Sequence, residues 1–177
     1  GEPWAIPLAE ARLSTFLASD TDNNAADEAG APDAFLSGKV EDATARYNLR
    51  NGLAAEGDLI PGEVAVLRRL CEYAGLSPAL ADGLASAWRR ATLATQADDP
   101  TLLEKLGGEE ARSQAPLQPQ RLDELTWLGM DAATVERLRP VLTVLPLRTK
   151  VNVNTAPREV LAAVIDGLDV GRAARLL

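Results

Sequence analysis

Histidine is absent from all 177 residues. That removes Ser-His-Asp and Cys-His catalysis, imidazole metal ligation and any imidazole switch near neutral pH. Cysteine occurs once, at Cys71, so an intramolecular disulfide, a four-cysteine zinc site and an iron–sulfur cluster are all excluded. Aromatic residues make up only 4% of the chain. A core must therefore come from Ala, Leu and Val, which favours close helix packing over a β-sandwich. Long hydrophobic runs are missing too: no stretch approaches the roughly 18 apolar residues of a membrane span, and no signal peptide opens the chain.

What is present looks globular. Hydrophobic residues account for 46% and charged residues for 25%, which is not the composition of a disordered chain. Eighteen Lys and Arg stand against 26 Asp and Glu, a formal charge of −8 that opposes nucleic-acid binding. A chain of this length is expected to bury roughly 70% of its unfolded surface, in one core or a core with a satellite. The opening Gly1-Glu2-Pro3-Trp4 is abrupt, and the last residues stop inside a helix-like pattern. A fragment of a longer protein is expected, with any anchor outside it.

Ala5, Ala9, Leu13, Phe16 and Leu17 share a helical face, so a short helix is expected over 5–17, followed by a polar loop over 18–33. From Lys39 the pattern turns to period two. Ala43, Ala45, Tyr47 and Leu49 alternate with Thr44, Arg46, Asn48 and Arg50, which reads as a half-buried strand ended by Asn51-Gly52. Pro61 opens a helix carrying Val64, Leu67, Cys71 and Ala74 on one face, and Ser77-Pro78 opens another carrying Leu80, Leu84, Ala87, Trp88 and Ala91. The polar stretch 96–119 reads as an irregular excursion. A second helical block is expected over 122–145, then a short strand over 149–154 and a helix capped by Thr155-Ala156-Pro157.

One pattern recurs: Gly75-Leu76-Ser77, Gly129-Met130-Asp131 and Gly167-Leu168-Asp169 each join two helical stretches. Glycine permits a left-handed turn, the aliphatic residue plugs the hairpin, and Ser or Asp satisfies the free N–H groups of the next helix. Repeated helical hairpins on a small α-domain are the result. Such hairpins resemble helix-hairpin-helix and sterile-alpha-motif-like units, and Arg158, Arg172 and Arg175 lie near the third. The alternative function is thus a helix-hairpin-helix DNA-binding module, although Asp166 and Asp169 sit where a phosphate would have to go.

Asp20, Asp22 and Asn24 have the one-three-five spacing of a calcium loop, but Ala25 and Ala31 stand where an EF-hand needs Gly and Glu. Asp98-Asp99 and Glu109-Glu110 form a second acidic zone. Either zone could take calcium, and the second could form a carboxylate pair for hydrolysis. A solvated acidic surface is the plainer reading of both. The face holding Arg46, Asn48 and Arg50 is either a partner-facing or buried polar ladder or an ordinary exposed sheet face. Asn152 and Asn154 suit a strand-to-helix corner, Cys71 a core position, and Trp4, Trp88 and Trp127 core anchors.

The order of these pieces resembles a known family. Glu2-Pro3-Trp4-Ala5, the segment 39–51 with Tyr47-Asn48-Leu49, and Asn152-Val153-Asn154-Thr155-Ala156-Pro157 are similar to the K-type minor pseudopilins of type II secretion. The resemblance implies an α+β, mainly α fold: a small pilin-like sheet with a large inserted α-domain of SAM-like or helix-hairpin-helix-like hairpins. On that reading 1–54 is the pilin-like part, 55–147 the inserted α-domain, and 148–177 a strand with a truncated second unit. The implied role is structural and non-catalytic, at the tip of the periplasmic pseudopilus with I-type and J-type minor pseudopilins, with the secretin or secreted cargo as further candidate partners. It implies a missing N-terminal membrane helix as the only membrane contact, an inner-membrane location with this domain in the periplasm, and no nucleic acid. No cofactor is required, and calcium is the one that some members take. Trp4 and Leu8 are the candidate interface residues.

Overall fold

The computed structural model describes residues 8–12 and 35–175. The chain divides into two units, Gly1–Asp42 and Ala43–Leu177. In the first, β1 (Leu8–Arg12) pairs antiparallel with β2 (Phe35–Gly38), in the register Leu8 to Gly38 and Arg12 to Phe35, with an irregularity between Leu8 and Ala11. The helix expected over 5–17 is therefore a strand where it is described. Cross-strand pairing gives these backbone groups partners that an isolated short helix could not supply as cooperatively. The loop expected over 18–33 lies outside the described residues.

The second unit is mainly helical with one small sheet. Pro61 begins α1 (Pro61–Tyr73), and its missing N–H costs nothing in a first turn. Val64, Leu67 and Cys71 are buried along its inner face, as their spacing predicts. The helix ends in a Schellman turn, with Leu76 N donating to Cys71 O at 2.8 Å, Gly75 N to Glu72 O at 2.8 Å, and Gly75 at φ 69°. α2 (Ala79–Thr95) follows and buries Leu84, Ala87, Trp88 and Ala91. Burying one large aliphatic side chain is worth about 1.5–3 kcal/mol, so this shared stripe holds the helix pair together. Ser77 provides no side-chain cap, and the first turn closes through its carbonyl instead.

The stretch 96–119 is more ordered than its polarity suggests. Asp99 caps α3 (Pro100–Leu106), and Gly107 at φ 107° reverses the chain into α4 (Gly108–Ser113). Arg89 Nε donates to Gly57 O at 2.8 Å, and Lys105 Nζ to Glu56 O at 2.6 Å and Asp58 Oδ2 at 2.8 Å. These bonds tether α2 and α3 to the turn at 54–58.

The block expected over 122–145 is a 3₁₀ helix (Leu122–Leu128), α5 (Ala132–Leu138) and then β4 (Leu142–Thr143). The second Gly-aliphatic-acid unit behaves as its sequence predicts. Gly129 has φ 88°, Met130 N donates to Leu125 O, and the Asp131 carboxylate accepts from Thr134 N at 2.9 Å. The third, between α6 (Arg158–Val164) and α7 (Val170–Ala173), repeats the left-handed glycine, with Gly167 at φ 78°, and the cap, with Asp169 accepting from Arg172 N at 2.7 Å. Its Leu168 N, however, donates to Ile165 O in a tighter turn. Leu76, Met130 and Leu168 all pack against the common core. The aliphatic plug is thus a working part of each hairpin. α1 packs against both α2 and α6, so it is the central element.

Two tryptophan expectations diverge. Trp88 is 1% exposed at the centre of the core, whereas Trp127 is 47% exposed and anchors nothing there. Trp4 lies outside the described residues.

Candidate functional site

The strand expected over 39–51 is a 3₁₀ turn (Ala43–Ala45), a two-residue β3 (Tyr47–Asn48) and a further 3₁₀ turn (Leu49–Gly52). β3 pairs parallel to β4, Tyr47 beside Leu142 and Asn48 beside Thr143. Tyr47, Asn48 and Leu49 are all buried, at 2%, 1% and 2% exposure. Period two cannot hold where three successive side chains are enclosed. Of the two readings of this face, the buried polar ladder is the one found.

Asn48 is its centre. Its Nδ2 donates to Leu147 O at 2.7 Å and to Thr149 Oγ1 at 2.8 Å, while its Oδ1 accepts from Leu145 N and Arg50 N, both at 3.2 Å. All four hydrogen-bonding positions of the amide are filled. Asn51 repeats the move one turn later, donating to Thr149 O at 2.8 Å and accepting from Thr149 N at 3.1 Å. A side-chain amide thus occupies the place of a partner strand. Arg50 Nε donates to Leu145 O at 2.9 Å, and its guanidinium lies over the Trp88 ring, 5.6 Å from the centroid. Burial lowers the pKa of this guanidinium from its ordinary value. Together these groups clamp the segment 145–149 to the start of the helical unit.

The clamped segment forms one wall of an open cleft of about 690 Å³, whose other walls come from α1 and the end of α6. Tyr47 lies at its base, with its hydroxyl donating to Glu63 Oε2 at 2.8 Å. Burial first, and the Glu63 charge second, push the phenol well above its ordinary pKa, so it stays a donor. Arg69 Nε donates to Ala163 O at 2.8 Å, and its Nη2 lies 3.3 Å from Asp166. It thereby closes the carboxyl end of α6, where a cation is favoured. Arg148 and Lys150 line the same cleft, both exposed and neither in a hydrogen bond or ion pair with a described residue.

The acidic candidates do not converge. Asp98 and Glu109 share Arg112, at 3.3 and 3.6 Å. Asp99 spends its carboxylate on Thr101, at 2.8 Å to N and 2.6 Å to Oγ1, which lowers its pKa. Glu110 lies exposed in the first turn of α4. Among the described residues, no group of three acidic or thiol side chains could hold a metal ion. Asp20, Asp22 and Asn24 lie outside the described residues, and Leu8 is placed only as the first residue of β1.

At the third hairpin, Arg158 lies 2.8 Å from Glu159 and Arg172 lies 3.3 Å from Asp169. The N–H of Arg172 that a phosphate could take is already held by Asp169. Asn152 behaves as a corner residue, its Oδ1 accepting from Asn154 N at 3.1 Å and its carbonyl from Ala156 N at 3.0 Å. The expected strand at 149–154 is absent: Asn51 takes up the backbone groups of Thr149, and Thr44 O and Ala156 N those of Asn152. The roles of Asn51, Arg148 and Lys150 escape a sequence reading. Only the closeness of Asn48 and Asn51 hints that two amides act together.

No helix among the described residues is long and apolar enough to cross a membrane. Comparison with known sequences gives two consistent findings. Family models described as type II secretion system protein K match residues 45–147 and, separately, residues 151–177. The chain is also 30% identical, over 185 aligned residues, to type II secretion system protein K of Pseudomonas aeruginosa, covering 100% of this chain and 49% of that protein. The chain therefore spans about half the length of this curated relative.

Proposed function

Because the chain belongs to the type II secretion system protein K family, we propose that it is the head region of a minor pseudopilin. In this reading it caps the periplasmic tip of the secretion pseudopilus and takes part in protein export. The family match over 45–147 carries the proposal. That stretch holds α1 to α5, most of the helical unit, with the core around Trp88 and much of the clamp on 145–149. In this reading the helical block would end the filament by leaving a further subunit no room to stack above it.

The finer architecture belongs to the same proposal. The β1–β2 pair would be part of a pilin-like sheet within 1–54. The stretch 55–147 would be the inserted SAM-like domain, and 148–177 the start of a second, helix-hairpin-helix-like unit. The role would be non-catalytic. In support, the chain has no histidine, and Asp98, Asp99, Glu109 and Glu110 all lie exposed. The partners would be the I-type and J-type minor pseudopilins, with the secretin or secreted cargo beyond them, and Trp4 and Leu8 are the residues we assign to that contact. The domain would sit in the periplasm, held to the inner membrane by a preceding helix. Calcium in the loop of Asp20, Asp22 and Asn24 would be an addition to the fold and not a requirement.

Nothing in the geometry favours DNA binding, since two of the three arginines at the third hairpin are already paired with carboxylates. The test is to mix the chain with the periplasmic domains of the I-type and J-type proteins and measure mass by size-exclusion chromatography with light scattering. A one-to-one-to-one species is expected. Separate elution, persisting after the periplasmic part of the N-terminal helix is restored, would overturn the tip assignment.

A further inference from the structure

The cleft beside the clamp has a chemistry that the fold alone does not demand. Its acidic groups are committed: Glu63 accepts from Tyr47, and Asp166 lies against Arg69. Its cations at the rim are not. Arg148 and Lys150 are exposed and make no hydrogen bond or ion pair with a described residue, in a chain whose formal charge is −8. Clamping makes this unusual. The Asn48 and Asn51 amides fix the backbone at Leu147 and Thr149, so both cations are carried on a braced segment and not on a free loop.

Part of the cleft's lining is apolar. Ile60, Val151, Val153 and Val164 line the same cleft, and Val153 is 55% exposed. The backbone N–H and C=O groups of Lys150 and Val151 also have no partner among the described residues. Free main-chain groups, aliphatic floor and cationic rim together match an extended chain that adds main-chain bonds and alternates its side chains. A cleft of about 690 Å³ is in the range that seats a drug-sized ligand, about 300–1,000 Å³.

We propose that this cleft docks an extended peptide segment of a partner protein in which carboxylate and aliphatic side chains alternate. Carboxylates pair with Arg148 and Lys150, and aliphatic groups settle against Val151, Val153 and Val164. The inference does not depend on the tip assignment, and its test uses no second pseudopilin.

The probe is a fluorescein-labelled peptide of alternating Glu and Val, titrated with the whole chain and read by polarisation. Saturable binding that weakens with added salt is expected. Arg148→Glu combined with Lys150→Glu should weaken it by about tenfold or more. Both residues are exposed, so the fold should persist, and the thermal melt checks this. Val153→Asp, at a second exposed site, should weaken binding independently. Backbone NMR shifts should cluster at 148–153 and at the start of α1. The proposal is overturned by no saturable binding, by equal binding of a Lys-Val peptide, or by equal binding of an all-Glu peptide. Tighter capture of a single-stranded oligonucleotide, or self-association of the chain that is lost in the double variant, would overturn it as well.

Discussion

The amide of Asn48 is bonded to the carbonyl of Leu147, 99 residues further along the chain, at 2.7 Å. The Asn48 side chain is 1% exposed, and it belongs to a set of bonds that join the start of the helical unit to residues 145–152. Removing it strands several groups at once. Asn48→Ala leaves Leu145 N and Arg50 N without this acceptor and leaves Leu147 O and Thr149 Oγ1 only the 3.4 Å bond between themselves. Each buried group left unpaired costs about 1–3 kcal/mol, less where water enters. A total loss of about 2–4 kcal/mol is expected in urea unfolding, with Asn51→Ala costing less because its site is half-buried. A loss under about 0.5 kcal/mol for Asn48→Ala would show that the clamp is not a structural tie.

Glycine substitutions should separate a helix-interior position from a left-handed turn. At Gly83, inside α2, an added Cβ meets nothing within 4 Å. Gly83→Ala should therefore stabilise by about 0.5–1 kcal/mol through helix propensity and a stiffer unfolded chain. Gly75 is the opposite case. It sits at φ 69°, and an added Cβ falls 2.4 Å from the Arg137 guanidinium. That guanidinium caps α1 by donating to Ala74 O and Gly75 O, so Gly75→Ala loses backbone ease and the cap together. A cost of about 1–2 kcal/mol is expected, and paired melting curves of the two variants would test the difference in sign.

These contrasts mark what a sequence can disclose. α1 and α2 are legible because Val64, Leu67, Cys71, Leu84 and Trp88 recur at helical spacing, each run opening at a proline and the first stopped by Gly75. The hairpins at Gly129 and Gly167 are legible because turn, plug and cap lie on adjacent residues. The clamp is hidden, since nothing local ties Asn48 to Leu147. The alternation over 43–50 misleads because Asn48 is polar yet enclosed, its amide serving as the partner of irregular backbone. Likewise α3 and α4 are too short to show a period. The cleft is hidden for the same reason as the clamp: α1, the segment 148–153 and the end of α6 meet only in the fold.

Stability should be flat between about pH 5 and 8 and should fall on both sides. With no histidine, no side chain of ordinary pKa titrates in that window. On the acid side, hydrogen bonds from Lys105 to Asp58, from Thr101 to Asp99 and from Thr134 to Asp131 hold these carboxyls below their ordinary values. Such groups contribute stability above their unfolded pKa of about 4, which is lost as pH falls through the folded value. Melting temperature followed from pH 8 to 3 should stay level and then decline below about pH 4. A marked decline between pH 8 and 5.5 would contradict the assignment of these surface carboxylates as the titrating groups.

Cys71 contributes on the alkaline side together with the buried phenol of Tyr47, and it gives a separate readout. It is 0% exposed on the inner face of α1, and burial pushes its thiol up from 9.0 to about 11. Because the folded value is the higher, its contribution is complete below the unfolded pKa and disappears as pH rises through the folded one. Reactivity should follow the same logic, since only the accessible thiolate attacks a disulfide reagent. Labelling with an aromatic disulfide at pH 8 should be slow in the native chain and fast in denaturant, with intermediate urea tracking the unfolded fraction. Rapid native labelling would mean that α1 opens without global unfolding. The core shared by α1, α2 and α6 would then be looser than the burial of Trp88 and Leu70 implies.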